Sequence, residues 1–325
     1  MKWQNRGLIF DVTPQKNEMN RFFYAQGPQP IDLGEVIRVY FSSRVRDVNG
    51  KFLSKVNWVE FESISHKPLR ISEREVIALG ELGTYDEHGI FPFNVIQYDS
   101  RFIGYVSGWS RRSSVSVTTS IGVAIGNSDG TYFEKRAKGP CLTASANEPF
   151  LIGDPNVKYL EGEFHMWYIF GIKWSKTADS GYERTYRIGH AISHDGVTWQ
   201  RPSEGIQIIP ALNDLEAQAM PSVIQLERNL YFMVFCYRNT FGFRENHEKA
   251  YKLGAAISSD LIQWERNDNL VAFDSNSWSN EMACYPNLLE KEDKILLYMN
   301  GNSFGLNGFG MIEIEKETLV SNAKL

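Results

Sequence analysis

Pro155-Asn-Val-Lys-Tyr159, Pro221-Ser-Val-Ile-Gln225 and Pro286-Asn-Leu-Leu-Glu290 are three versions of one short phrase, and Pro92-Phe-Asn-Val-Ile96 is a fourth. With Pro28, these prolines stand 64, 63, 66 and 65 residues apart. Each is followed 12 or 13 residues later by an apolar aromatic run: Tyr40-Phe41, Tyr105-Val106, Trp167-Tyr168, Met233-Val234-Phe235 and Tyr298-Met299. A fixed period of this length makes each copy one supersecondary unit packed on its neighbours.

A second phrase repeats in phase with the first. Ile121-Gly-Val-Ala-Ile125, Ile188-Gly-His-Ala-Ile192 and Leu253-Gly-Ala-Ala-Ile257 lead into Ser128-Asp-Gly-Thr-Tyr-Phe133, Ser193-His-Asp-Gly-Val-Thr-Trp199 and Ser258-Ser-Asp-Leu-Ile-Gln-Trp264. The apolar runs are 4 to 7 residues long, rich in Val, Ile and aromatics, and bounded by Asp-Gly, Asn-Gly and Pro. That pattern reads as strands and hairpins. In the Ser-Xaa-Asp-Gly turn the Asp caps backbone N–H groups and the Gly supplies positive φ. The aromatic that follows is expected to anchor an outer strand against the next copy.

Four short strands in each of five copies predict an all-β chain, a five-bladed β-propeller with about 65 residues per blade. A solenoid fits less well, because solenoid coils are usually shorter. The expected blades span about 13–80, 81–145, 146–212, 213–275 and 276–325, within one domain covering 1–325. The spare strand 7–12, Gly7-Leu-Ile-Phe-Asp-Val12, is expected to complete the last blade beside Gly308-Phe-Gly-Met-Ile-Glu-Ile314 and so leave no open edge.

Composition narrows the function classes. The chain has 325 residues, 42% hydrophobic and 13% aromatic, enough for a large core. No run approaches the roughly 20 apolar residues of a membrane span, and the start lacks the apolar core of a signal peptide. Cys141, Cys236 and Cys284 are odd in number and unclustered, which argues against a disulfide framework or structural zinc and for a reducing cytoplasm. A net charge of −5 without a basic run makes nucleic acid an unsuitable partner. Phosphate-loop and zinc-protease motifs are absent.

Candidate chemistry lies just upstream of the prolines, where an innermost strand would start near the axis. Copy two has Asp86-Glu87-His88-Gly89, copy three Glu148 and Asp154, copy four Glu216 and copy five Glu281, while copy one has no acid there. Carboxylates crowded in one funnel would split into protonated acids and ionised bases. Against this, acids at strand ends are often caps. Asp86 and Glu87 are adjacent, so only one of them would face inward. Trp109, Trp174, Tyr186 and Tyr285 border the same face and could stack on a sugar, although rings of this kind also fill the gaps between blades. Arg44, Arg111 and Arg238 close or follow second-strand runs and need a carboxylate or an anionic ligand. His88 lies beside the acid pair. No His-rich metal spacing occurs. Calcium on the axis would need oxygen ligands that spacing does not identify, so no cofactor is expected.

Tyr85-Asp86 through Pro92, the Ser-Xaa-Asp-Gly-Xaa-Xaa-Trp turns, Tyr298-Met-Asn-Gly-Asn302 and Gly308-Phe-Gly310 together resemble the five-bladed propeller glycosidases, the superfamily of arabinanases, xylosidases, invertases and mannoside phosphorylases. The resemblance spans nearly the whole chain and implies a carbohydrate-processing enzyme without an organic cofactor. By resemblance, Asp86 would act as base or nucleophile and Glu216 as general acid, with Glu281, Glu148 or Asp154 tuning them. The missing acid in copy one departs from the superfamily pattern, which places its acids on the first three blades. The implied substrate is a small carbohydrate or activated sugar, and the arginines leave room for an anionic one and for phosphorolysis. A non-catalytic carbohydrate-binding propeller and a biosynthetic lyase or cyclase on the same scaffold are the alternatives. The former would show its acids fully neutralised by Arg44, Arg111 and Arg238.

Overall fold

A computed structural model describes residues 2–13 and 23–324. Strands make up 54% of the chain and helices 6%. The strand β1 (Gln4–Asp11) stands first. Copy one then follows as β2 (Phe23–Asp32), β3 (Val36–Arg46), β4 (Phe52–Glu62) and β5 (Pro68–Ile71). Copy two is β6 (Gly89–Tyr98), β7 (Arg101–Arg111), β8 (Val117–Gly126) and β9 (Phe133–Lys135). Copy three is β10 (Ile152–Leu160), β11 (Glu163–Lys176) and β12 (Tyr182–Ser193), and copy four is β13 (Glu216–Glu227), β14 (Leu230–Asn239), β15 (Lys252–Ser258) and β16 (Glu265–Arg266). Copy five is β17 (Cys284–Lys291), β18 (Lys294–Asn300) and β19 (Gly308–Glu315).

Within each copy the strands pair antiparallel in chain order. Copies one and two join through a single parallel pair, Ser54 with Gly89, so that the copies form four hydrogen-bonded sheets. Copy three has three strands, with Gln200 paired to Ile192 where a fourth would lie. Beside β19 runs β1, antiparallel, with Leu8 opposite Gly310 and Phe10 opposite Phe309. The N-terminal strand thus occupies the edge that copy five lacks. The start of copy one, residues 14–22, lies outside the described residues. A C-terminal helix, Lys316–Ala323, follows β19 and buries Leu319 and Val320, an element that a strand-only pattern did not anticipate.

The repeat prolines have a common structural role. In β2, β6, β10, β13 and β17 the ladder skips the proline and the residue before it, between Gln26 and Gln29, Ile90 and Phe93, Gly153 and Asn156, Ala219 and Ser222, and Cys284 and Asn287. Proline has no N–H to give a ladder, so a bulge is where a strand tolerates it. Just past each bulge a polar side chain ties one first strand to the next. Asn94 Oδ1 accepts from Val157 N–H at 3.0 Å, Asn156 Oδ1 from Val223 N–H at 3.0 Å, and Ser222 Oγ from Leu288 N–H at 2.9 Å. Asn287 and Asn94 each donate to Gln29 Oε1, at 2.7 and 3.1 Å. The bonds therefore run from copy one through copies two to five and back to copy one.

Farther out, the turn aromatics pack on the preceding copy. Phe133 lies 5.8 Å from Tyr40, Trp199 5.9 Å from Tyr105 and Trp264 6.2 Å from Trp167, all edge to face, an arrangement that rings favour. Tyr40 and Tyr105 donate their hydroxyls to the turn carbonyls of Gly130 and Gly196, at 2.6 and 3.1 Å. The second repeat phrase is thus the glue between copies.

Candidate active site

The bulges aim one residue from each copy at a common point: Gly27, Phe91, Asp154, Met220 and Tyr285, each immediately before its proline. Gly27, Asp154, Met220 and Tyr285 have φ between 51° and 60°. For three non-glycine residues this is a strained left-handed backbone, which tends to persist at sites where function requires it. Gly27 is required by crowding: a Cβ there would come within 2.7 Å of Met220 Cε and 3.1 Å of the Phe91 ring. The Phe91 and Tyr285 rings lie 5.1 Å apart, and Met220 N–H donates to Asp154 Oδ2 at 3.3 Å. Of these residues Phe91, Asp154 and Tyr285 line a cavity of about 540 Å³ whose walls come from all five copies.

Among the described residues lining that cavity, Asp154 is the only carboxylate, and it shares the walls with four arginines, Arg44, Arg184, Arg238 and Arg244. Its own N–H donates to Ser107 Oγ at 3.2 Å. Burial raises its pKa to about 7, against the opposing pull of Met220 N–H and the Arg184 charge. A carboxylic acid poised near neutral pH is what general acid catalysis needs.

The arginines are not equivalent. Arg238 is buried, and its N–H groups meet Tyr251 Oη at 3.2 Å and the carbonyls of Asn239, Thr240 and Arg184 at 2.9, 3.3 and 3.4 Å. With the Phe243 ring centre 3.7 Å from its Cζ, it contributes charge while its donors are occupied. Arg244 is ion-paired with Glu183. Arg44 uses only Nε, on Gln26 Oε1 at 2.8 Å, and lies over the rings of Tyr24 and Phe52. Arg184 makes one long contact, 3.5 Å to Ser116 Oγ, and lies over Trp174. Neither Arg44 nor Arg184 has an acidic partner among the described residues.

Of the residues singled out in the sequence, Asp154, Arg44, Trp109, Tyr186, Arg238 and Tyr285 line this cavity; the other eight do not. Asp86, Glu148 and Glu216 are buried elsewhere, each held by a cation from the end of its own copy. Asp86 pairs with Lys135; Glu148 pairs with Arg201 at 2.7 Å and Glu216 with Arg266 at 2.8 Å. Glu148 also accepts from Tyr168 Oη at 2.7 Å and Gly205 N–H at 3.0 Å, and Glu216 from Leu212 N–H at 3.1 Å and Gln218 Nε2 at 2.9 Å. Glu281 is exposed, 3.9 Å from His247.

Behind Trp109 lies a supporting layer. His88 stacks on its ring, and Arg111 bonds Asp47 at 3.1 Å and the Phe52 carbonyl at 2.8 Å. Glu87 accepts from Gly83 N–H at 2.9 Å. Trp174 serves as the platform under Arg184. Reading the sequence for acids overlooked Arg184, Arg244, Phe243, Tyr251 and Phe304. Tyr251 stands 65 residues after Tyr186, two residues ahead of the second repeated phrase, so the period did point to it; the other four belong to no repeating phrase. A larger, open groove of about 970 Å³ runs along the outer strands of copy four, away from the convergence point, and its Arg266 is already committed to Glu216 and Asp268.

No family model matches the chain. An uncharacterized protein of Mycobacterium tuberculosis (strain H37Rv) is 26% identical over 318 residues, 97% of this chain and 100% of the relative. The 1,2-β-oligomannan phosphorylase of a Thermoanaerobacter strain is 26% identical over 113 residues, 33% of this chain and 34% of that protein. Among solved structures, a glycoside hydrolase superposes with a TM-score of 0.72 at 15% identity, covering 95% of this chain and 91% of that one. The β-1,2-mannobiose phosphorylase of Listeria innocua superposes with a TM-score of 0.65 at 11% identity, covering 100% and 99%. The chain shares the fold of these carbohydrate-processing enzymes. Among the described residues no helix is long and apolar enough to cross a membrane, and no group of His, Cys, Asp and Glu could hold a metal.

Proposed function

We propose that this chain is a five-bladed β-propeller, one domain closed by its N-terminal strand, and a glycoside phosphorylase whose general acid is Asp154. The polar bonds linking the five first strands in a circuit support the ring. One observation carries the chemistry: among the described residues the cavity presents a single carboxylate beside four arginines. Hydrolysis by the usual routes uses two carboxylates, the second as nucleophile or as base for water. Phosphate already carries its negative charge and needs cations to hold it rather than a base to activate it.

In this reading Asp154 gives its proton to the glycosidic oxygen as the bond from that oxygen to the anomeric carbon breaks. A phosphate oxygen forms the new bond at the same carbon from the opposite face. The bonding pair leaves with the glycosidic oxygen, which departs as a hydroxyl, and the product is a sugar 1-phosphate of inverted configuration. With no second carboxylate among the described residues lining the cavity to form a covalent intermediate, displacement is direct. Arg44, whose terminal nitrogens are uncommitted among the described residues, holds the phosphate, and Arg238 supplies fixed charge behind it. The rings of Trp109, Tyr186 and Tyr285 pack against the sugar. Three free cysteines fit a cytoplasmic setting.

The test is turnover of β-1,2-mannobiose and other β-mannosides with and without inorganic phosphate. Phosphate-dependent formation of a sugar 1-phosphate, abolished in Asp154→Asn, is the expected outcome. Equal cleavage in phosphate-free buffer, or undiminished turnover in Asp154→Asn, would sink the proposal.

A further inference from the structure

The funnel holds more positive charge than one phosphate uses. Glu183 offsets one of the four arginines through its pairing with Arg244, and it stands 3.7 Å from Arg238. A phosphate dianion offsets about two more. In the reacting form Asp154 carries the proton it will donate and so offsets none of this charge. One cation is left over, and the donors identify it. Arg238 has its N–H groups on protein oxygens, while among the described residues Arg44 leaves both terminal nitrogens unused and Arg184 engages one, only through the 3.5 Å contact to Ser116 Oγ. A partly enclosed guanidinium without an acid partner is costly unless a ligand anion meets it.

The two free forks face different parts of the substrate. Arg184, on β12, belongs to copy three, as does Asp154 on β10, and both line the cavity. Arg44 stands on β3 of copy one, in another part of the wall. In a direct displacement the acid and the leaving oxygen share one side of the anomeric carbon, and phosphate comes from the other. Arg184 therefore stands on the leaving-group side and Arg44 on the phosphate side.

Building on the phosphorolytic reading, we infer that the leaving group is itself anionic: a sugar or sugar acid bearing a carboxylate or phosphate that Arg184 grips. The natural substrate is then an acidic glycoside rather than a neutral oligosaccharide. Trp174 beneath the guanidinium and Ser116 beside it hold the fork in place for a bidentate contact.

The experiment runs the reaction in reverse, measuring phosphate released from α-mannose 1-phosphate and α-glucose 1-phosphate. Neutral acceptors (mannose, glucose) are compared with glucuronate, glycerate and glucose 6-phosphate. The inference expects acidic acceptors to exceed neutral ones in kcat/KM by about 10- to 100-fold, the scale set by a hydrogen bond between charged groups. Comparing glucuronate and glycerate with glucose 6-phosphate tells carboxylate from phosphate. In Arg184→Gln the acidic-to-neutral ratio should fall to about one, whatever the variant's overall rate. Arg44→Gln should keep the ratio and raise KM for the sugar 1-phosphate. Efficient turnover of neutral acceptors with no acidic preference overturns this inference and leaves phosphorolysis standing. No phosphate release with any acceptor, from protein whose circular dichroism shows it folded, overturns both.

Discussion

Two columns of the same repeat teach opposite lessons. One is the acid ahead of each first strand, Asp86, Glu148 and Glu216, answered by Lys135, Arg201 and Arg266 two residues after the closing aromatics Phe133, Trp199 and Trp264. The other is the residue before each proline, Gly27, Phe91, Asp154, Met220 and Tyr285. The first column keeps its chemistry from copy to copy because each copy must hold its outermost segment against its innermost strand. The second changes at every copy because its members meet at one point, where five identical side chains would collide or repel. In a ring of repeats, recurrence marks structure and the exception marks chemistry. Asp154 is the one charged member of its column.

The sharpest way to break this comparison is to neutralise one acid from each column. Asp154→Asn should cut turnover by about 10³-fold, within the range for loss of a general acid, with folding intact. Glu216→Gln should do the reverse. It leaves Arg266 buried with a weakened partner, and breaking such a pair costs about 3–5 kcal/mol, so thermal unfolding should drop by about 10 °C. Activity per folded molecule should change by less than about threefold. A Glu216→Gln protein that melts like wild type but is inactive would return that acid to the site and end the distinction.

Much of this was legible beforehand. The period set the class of fold, and β1 pairs with β19 where the spare apolar run Gly7–Val12 was matched to Gly308–Ile314. The acids were visible too, but so were their partners: Lys135, Arg201 and Arg266 recur 66 and 65 residues apart, although the acids Asp86, Glu148 and Glu216 keep a looser spacing of 62 and 68. A repeated acid with a repeated base is an ion pair of the repeat, and reading the acids alone turned it into a funnel. Glu281 shares the register of Glu216 by count, yet copy five ends in a helix and borrows β1, so it has no equivalent of β16 to carry the answering cation. Arg184 and Phe304 lie outside every repeated phrase. Their places depend on how the copies are arranged about the cavity, which no local pattern encodes.

A smaller effect sharpens the comparison through stability alone. Asp154 has a folded pKa of about 7 against an ordinary carboxyl value of 3.8. A raised acid contributes stability that is fully present below the unfolded value and is lost as pH climbs through the folded one. Wild type should therefore lose stability between about pH 4 and pH 7 relative to Asp154→Asn, whose amide resembles the protonated acid. At pH 8 the variant should be the more stable by about 1–3 kcal/mol, and at pH 4 the two should melt together. Denaturant titrations at both pH values decide it, and equal stability at pH 8 would mean that Asp154 is an ordinary exposed carboxylate.

The smallest effect concerns the balance that sets the pKa of Asp154. Burial pushes it up, while Met220 N–H and the Arg184 charge pull it down. Arg184→Gln removes one of the two restraints without changing the burial, so the acid should hold its proton to higher pH. The alkaline limb of kcat, measured with a neutral acceptor, should move up by roughly half a unit, since the two groups interact across a partly solvated cavity. Arg44→Gln, at the far wall, should leave the limb where it is. If both substitutions moved it equally, the field in the funnel would be diffuse. The separation of a leaving-group side from a phosphate side would then have no electrostatic basis.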